Sequence, residues 1–283
     1  MHDGWQLCRD ADPPEGGSAR QAHQVVSAGV SPVGRAELIV AARAHLAAGR
    51  SVLLQGPAGI GKSTLLDALA GVPVPGVVLR SAAAEAESEL PYLALVDLFD
   101  GAPPEAFAAL PAHLRAALDG ALLRGALPST PYDQLAVRLA VLELLRALAT
   151  DRQVLLVLDD VQWIDEPSAG VLSFVARRLD GTAVRLLAAE RVADGAVARA
   201  QELCPQPTVE LTVPPLSEAD VADLLRDRFG GVMSRRDVSR VYRAGGGNPL
   251  YTVELGRAVG ARSGPVAPME PLPPSRLPKV LDR

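Results

Sequence analysis

Leu53–Leu66 reads LLQGPAGIGKSTLL, and within it Gly56-Pro57-Ala58-Gly59-Ile60-Gly61-Lys62-Ser63 fits the spacing G-x-x-x-x-G-K-[ST]. Each residue type has a mechanical reason. Glycines at Gly56, Gly59 and Gly61 open backbone dihedrals closed to other residues, so successive N–H groups can turn inward onto an anion. Lys62 supplies a point charge for outer phosphates, and Ser63 a hydroxyl for Mg²⁺. The helix that must follow adds the positive end of its dipole. The flanks agree: SVLLQ reads as a short buried strand and STLLDALA as a helix. Arginine carries almost all the positive charge of the chain, whose only lysines are Lys62 and Lys279. The stretch reads as a phosphate site and not as a glycine-rich turn.

Composition bounds what surrounds that site. A chain of 283 residues with 48% hydrophobic content can bury a full core and hold one large or two modest domains. A net charge of −5 argues against broad electrostatic binding to nucleic acid or acidic membranes. Cys8 and Cys204 lie far apart, with no C-x-x-C and no neighbouring histidine, so neither a disulfide framework nor a zinc site is indicated. MHDGWQLCRDADPPEGG lacks a basic segment followed by an apolar run, so no signal peptide is read there. No apolar run approaches the roughly 18 residues of a membrane span. The expectation is a cytoplasmic protein.

Three zones follow along the chain. Residues 1–30 are polar and rich in Gly, Pro and Ala, and read as a flexible leader. Residues 31–213 alternate aliphatic runs with helical patterns. The strand candidates are Val52–Gln55, Val77–Arg80, Val154–Leu158, Val184–Ala189 and Thr208–Val213. Between them PYLALVDLFD, DQLAVRLAVLELLRALA and SAGVLSFVARRL carry apolar residues at three- and four-residue spacing. Strands alternating with helices predict an α/β fold with a parallel sheet covered on both faces. From about residue 214 the strand signal stops. SEADVADLLRDRF, RRDVSRVYRA and NPLYTVELGRAVG then read as a helical unit over 214–262, with Ser217 as an N-cap and Asp220 as a first-turn acid. Residues 263–283 are proline-rich and read as a linker cut soon after it begins.

A phosphate loop needs a second element to hold the metal, and QVLLVLDDVQWID (153–165) supplies one. Its aliphatic run ends in Asp159 and Asp160, at the carboxyl end of a strand, where open α/β sheets bind ligands. Asp159 is expected to hold Mg²⁺ through water or directly, and Asp160 to polarise the attacking water. An isolated Asp pair after a strand is usually a turn former; the phosphate loop upstream decides for the metal. Asp165 and Glu166, just before Pro167, read as helix N-terminal acids outside the site. VRLLAAER ends in Arg191, which suits contact with a terminal phosphate and equally suits a solvated strand end. Arg177 and Arg178 read as a solvated helix face, and as the candidates for an arginine finger. The N-K-x-D signature of guanine-specific switches is absent, which leaves ATP or ADP as the ligand.

SPVGRAEL, LLQGPAGIGKSTLL, LLVLDDVQWID, RLLAAER, VPPLSEADV and GGGNPLYTVEL occur in an order and spacing that resemble the ATPase module of the large LuxR-type regulators. These belong to the signal-transduction ATPases with numerous domains, of which the maltose-regulon activator is a relative. The likeness covers roughly residues 31–260. It implies a three-layer, AAA-like P-loop NTPase sheet, with the sensor strand between the loop strand and the metal strand, followed by a helical lid. Val33, Gly34 and Arg35 match the motif that lies against adenine. Gly56, Pro57, Ala58, Gly59, Ile60, Gly61, Lys62, Ser63 and Thr64 fall on the phosphate loop. Asp159 and Asp160 match the acidic pair, Arg191 the sensor arginine, and Gly247-Asn248-Pro249 the glycine-x-proline of the lid, whose Pro249 packs near the nucleotide.

Such regulators continue into a winged helix, helical repeats and a DNA-binding helix-turn-helix; this sequence stops at Arg283 without them. The expectation is therefore a shortened product or a module that works with partner chains. Three function classes stand open: a slowly hydrolysing switch that associates with protein partners or itself in the ATP state, a fast ATPase motor acting on a macromolecule, and a non-hydrolysing nucleotide scaffold. The set Lys62, Ser63, Asp159 and Asp160 speaks against the scaffold. No direct nucleic-acid or membrane contact is expected.

Overall fold

Alternation within each strand sets the layers. In a parallel sheet buried on both faces, neighbouring side chains must find opposite cores. This happens in β1 (Ser51–Gln55), where Leu53 joins one core and Val52 and Leu54 the other. The same holds for β3 (Gln153–Asp159) and β4 (Val184–Glu190): Leu156, Leu158, Leu186 and Ala188 face one side, Leu155, Val157, Leu187 and Ala189 the other. With β2 (Gly76–Ala82) and β5 (Thr208–Thr212) they form a five-stranded sheet in the order β2-β3-β4-β1-β5, every pair parallel. The expected strands all form, each within two residues of its predicted ends. The strand that ends before Arg191 lies between the loop strand and the metal strand.

The chain is seen here in a computed structural model that describes residues 32–71, 76–124, 134–191, 200–230 and 233–260. The leader over 1–30, the proline-rich 263–283 and Cys8 lie outside the described residues. On one face, α1 (Ala36–Ala47) and α2 (Lys62–Ala70) bury Ile39, Ala42, Leu65, Leu66 and Leu69. The other face is covered by α3 (Leu93–Asp100), α4 (Pro104–Ala108), α5 (Ala112–Ala121), α6 (Gln134–Leu148), α7 (Glu166–Ala176) and α8 (Ala200–Leu203). This makes three layers.

Two local devices fix the edges of the site. Asp165 is the N-cap of α7, where its Oδ1 accepts the Ser168 N–H at 2.9 Å. The same carboxylate accepts the Tyr92 and Ala94 amides at 2.8 and 3.1 Å, so it also holds the start of α3. After β5, α9 (Glu218–Phe229), α10 (Arg235–Gly245) and α11 (Pro249–Gly260) bury Leu216, Val221, Leu225, Val238, Val241 and Leu255 in a core of their own. Ser217 and Asp220 make a reciprocal capping box at the head of α9.

Candidate functional site

β1 ends at Gln55, and the chain turns through residues 56–61 into α2. Gly59 and Gly61 take φ values of +73° and +98°, which a side chain would strain. The amides of Lys62, Ser63 and Thr64 open α2 and have no acceptor among the described residues. They are the orphan donors of a helix N-terminus, aimed where the dipole is positive. Lys62 is 5% exposed, and its ammonium donates to the Gly56 and Pro57 carbonyls at 2.9 and 3.0 Å. Burial pulls its pKa down; the Asp160 charge acts the other way.

The metal-strand residues stand beside this loop. The Asp159 carboxylate accepts the Asp160 amide at 2.9 Å and stands near the Ser63 hydroxyl, which favours its ionised form. Burial is the largest influence on Asp159 and raises its pKa. Asp160 sits in the left-handed region, with φ +50°, and its carboxylate forms a two-point pair with Arg191. Nε lies 3.1 Å from Oδ1 and Nη2 3.0 Å from Oδ2. Gln162 joins them, its Nε2 donating to Asp160 Oδ1 at 2.9 Å and its Oε1 accepting the Arg191 amide at 3.0 Å.

Of the remaining sequence-predicted residues, Arg35 and Pro249 meet the loop. Arg35 is 4% exposed and ties the Ile60 carbonyl (3.0 Å) to the Pro214 carbonyl (2.7 Å), so it links the loop to the chain leaving β5. Gly34, with φ +67°, lies against the Asp220 carboxylate, and Val33 beside it is half-buried. Asn248 Nδ2 donates to the Ala58 carbonyl at 2.9 Å, while its Oδ1 accepts the Leu250 amide at 3.0 Å. The Leu250 amide also reaches the Gly59 carbonyl at 3.3 Å, and Pro249 Cγ stands 4.0 Å from where a Cβ on Gly61 would be. The head of α11 therefore rests on the phosphate loop. Arg177 and Arg178 stand elsewhere, at and past the end of α7 and not on its face: Arg178 stacks 3.7 Å from the Phe174 ring, and Arg177 lines a cavity of about 390 Å³ with Arg138, Glu166 and Glu202.

Residues 31–189 match the family model described as AAA ATPase domain, a span that runs from before Val33 through the loop and metal strand into β4. The chain belongs to the AAA ATPase domain family. Among solved structures it is similar to a Walker-type ATPase of Pyrococcus abyssi, at 14% identity and TM-score 0.51, over 83% of this chain and 71% of that one. It is also similar to the ORC1 protein of Aeropyrum pernix, solved in complex with DNA, at 18% identity and TM-score 0.51, over 82% of this chain and 62% of that one. At these identities the likeness is one of fold. No curated protein matches the chain.

The AAA ATPase family implies a nucleotide and typically Mg²⁺, and the donors present fit both. Unpartnered first-turn amides with a buried lysine suit phosphate oxygens. A hydroxyl near one carboxylate is a hard oxygen set that suits Mg²⁺, an ion held by one or two protein groups plus phosphates. Among the described residues no three His, Cys, Asp or Glu side chains form a metal site by themselves. No helix among the described residues is long and apolar enough to cross a membrane.

Two residues carry more than the sequence assigned them, Gln162 inside the matched AAA ATPase span and Asn248 beyond it. Gln162 had no role, because its significance depends on where β4 ends. Asn248 appeared only inside the glycine-x-proline match; its capping of α11 and its bond to Ala58 are tertiary facts.

Proposed function

We propose that this chain is an ATP-binding, slowly hydrolysing switch module of the kind found in LuxR-type transcriptional regulators, working in the cytoplasm. It would associate with protein partners or with itself in the ATP state. The observation that carries the reading is the seat of α11 on the phosphate loop. Asn248 and Leu250 bond the loop carbonyls of Ala58 and Gly59, so any change in that loop is felt by the α9–α11 unit. A switch needs such a two-sided contact.

The chemistry is ATP + H₂O → ADP + phosphate. The water oxygen bonds to the terminal phosphorus, the bond from that phosphorus to the ADP oxygen breaks with its electron pair leaving on ADP, and a water proton passes toward the Asp160 carboxylate. Lys62 and the amides of Lys62, Ser63 and Thr64 bind phosphate oxygens; Ser63 and Asp159 hold Mg²⁺, which supplies charge neutralisation when bound. Arg191 would report the terminal phosphate, and Pro249 with Val33, Gly34 and Arg35 would border the nucleotide. Both Asp160 oxygens are already engaged by the Arg191 guanidinium, which favours slow turnover over a motor's rate.

Turnover measured against protein concentration tests the reading. A switch gives a rate well below about 1 s⁻¹, the lower end of ordinary enzyme turnover, that changes as the chain or a partner associates. Fast, concentration-independent hydrolysis would indicate a motor, and nucleotide binding with no hydrolysis a scaffold. Either result would remove the proposal.

A further inference from the structure

The ladder between β3 and β4 ends at Leu158↔Ala188, whereas β1 and β4 stay paired to Gln55↔Glu190. Beyond that fork the main chain of Arg191 has no strand partner on the β3 side, and Asp160 has already turned away into the left-handed region. One side chain fills the gap. The Gln162 amide group donates to the Asp160 carboxylate and accepts the Arg191 N–H, and the two partners together fix which way the amide is turned.

Gln162 is itself held firmly. It lies in a 3-10 turn, Val161–Trp163, closed by the Trp163 amide on the Asp160 carbonyl at 2.9 Å. Val161 (0% exposed) and Ile164 (2%) anchor the turn on either side, and the Asp165 cap follows at once. A group fixed at both ends by packing and capping can define the rotamer of a neighbour within the narrow tolerance that catalysis needs.

We propose that Gln162 is a positioning residue for ATP hydrolysis: it touches neither nucleotide nor water, and it acts by setting the orientation of Asp160 relative to the end of the strand that carries Arg191. This rests on the hydrolysing reading given above. Without the Gln162 amide, Asp160 keeps only Arg191, an exposed side chain, and its carboxylate loses its fixed direction toward the attacking water. Ground-state binding by the phosphate loop is untouched, so the loss falls on the rate of the chemical step and not on affinity.

The test compares the full chain with Gln162→Met, which keeps length and removes both hydrogen bonds, and with Gln162→Glu, which removes the donor and opposes Asp160 with a like charge. Single-turnover ATP hydrolysis is read beside calorimetric ADP affinity. The expected result is a rate lower by about tenfold or more in both variants, as loss of a hydrogen bond to a charged group would give, with ADP affinity within about twofold. In an Asp160→Asn background, Gln162→Met should add nothing further, because its effect passes through Asp160. An unchanged rate, a parallel fall in ADP affinity, or full additivity with Asp160→Asn would overturn the assignment. Wild-type protein that binds ADP but never hydrolyses ATP would instead overturn the switch reading, and this inference with it.

Discussion

Asp159 is a carboxylate kept at the end of a buried strand, and burial raises its pKa above the ordinary value of about 4. A raised folded-state pKa means the folded chain holds that proton more tightly than the unfolded one. The resulting stability is fully present below the unfolded value and is lost as pH rises through the folded one. At pH 7 the ionised group is therefore a cost to the ligand-free fold. Asp159→Asn is expected to raise the melting temperature of nucleotide-free protein at pH 7 and to abolish the further rise that Mg²⁺ gives in the presence of ADP. Differential scanning fluorimetry with and without Mg²⁺ reads both, and a lowered melting temperature would show that the carboxylate is needed for folding instead. For Lys62 the expectation is opposite in kind. Replacing it with Met removes a buried charge without a void, yet removes hydrogen bonds to a charged ligand of about 1.5–3 kcal/mol each. ADP affinity should fall at least about tenfold to a hundredfold by calorimetry, with the fold retained.

At the scale of elements, the ends of helices hold the site more than their faces do. Asp165 serves the α7 N-terminus and two amides at the start of α3 with one carboxylate that is 2% exposed. Asp165→Ala should cost roughly 3–7 kcal/mol in urea unfolding, a cap of about 1 plus two orphaned amides of 1–3 each. Ser217→Ala, which removes half of an exposed capping box, should cost only about 1 kcal/mol. Similar costs for the two would mean that the Asp165 bonds to α3 carry no stability. The Ser217 cap was readable because cap and acid stand three residues apart in sequence. Asp165 was readable as the N-terminal acid of α7, but its hold on α3 joins residues some 70 positions apart.

At the scale of the whole molecule, the proposed switch would run through the contact between α11 and the phosphate loop. Gly59, with φ +73°, has no room for a side chain: a Cβ there would lie 2.7 Å from Leu250 Cβ and 3.0 Å from Asn248 Oδ1. Asn248→Ala would remove the Ala58 bond and the α11 cap together, at about 1–2 kcal/mol. In hydrogen exchange, ADP should protect the amides of α9–α11 in the wild-type chain and lose that effect in Asn248→Ala, while protection of α2 persists. Equal protection in both would mean that the α9–α11 unit senses the nucleotide by another route.

The sequence by itself determined the strand set and the phosphate loop, since both are local: aliphatic runs of strand length, glycines where a turn needs them, and a lysine at one required position. It also determined that two acids stand at a strand's end. What only the tertiary structure decided is how those acids are employed. Asp160 faces Arg191 and Gln162 because β3 and β4 separate after Leu158 and Ala188, and Asn248 meets Ala58 because α11 folds back across some 190 residues. Neither follows from periodicity or motif spacing. Hydrogen bonds between distant segments are set by where the packed sheet brings their backbones, and that geometry exists only once the core has formed.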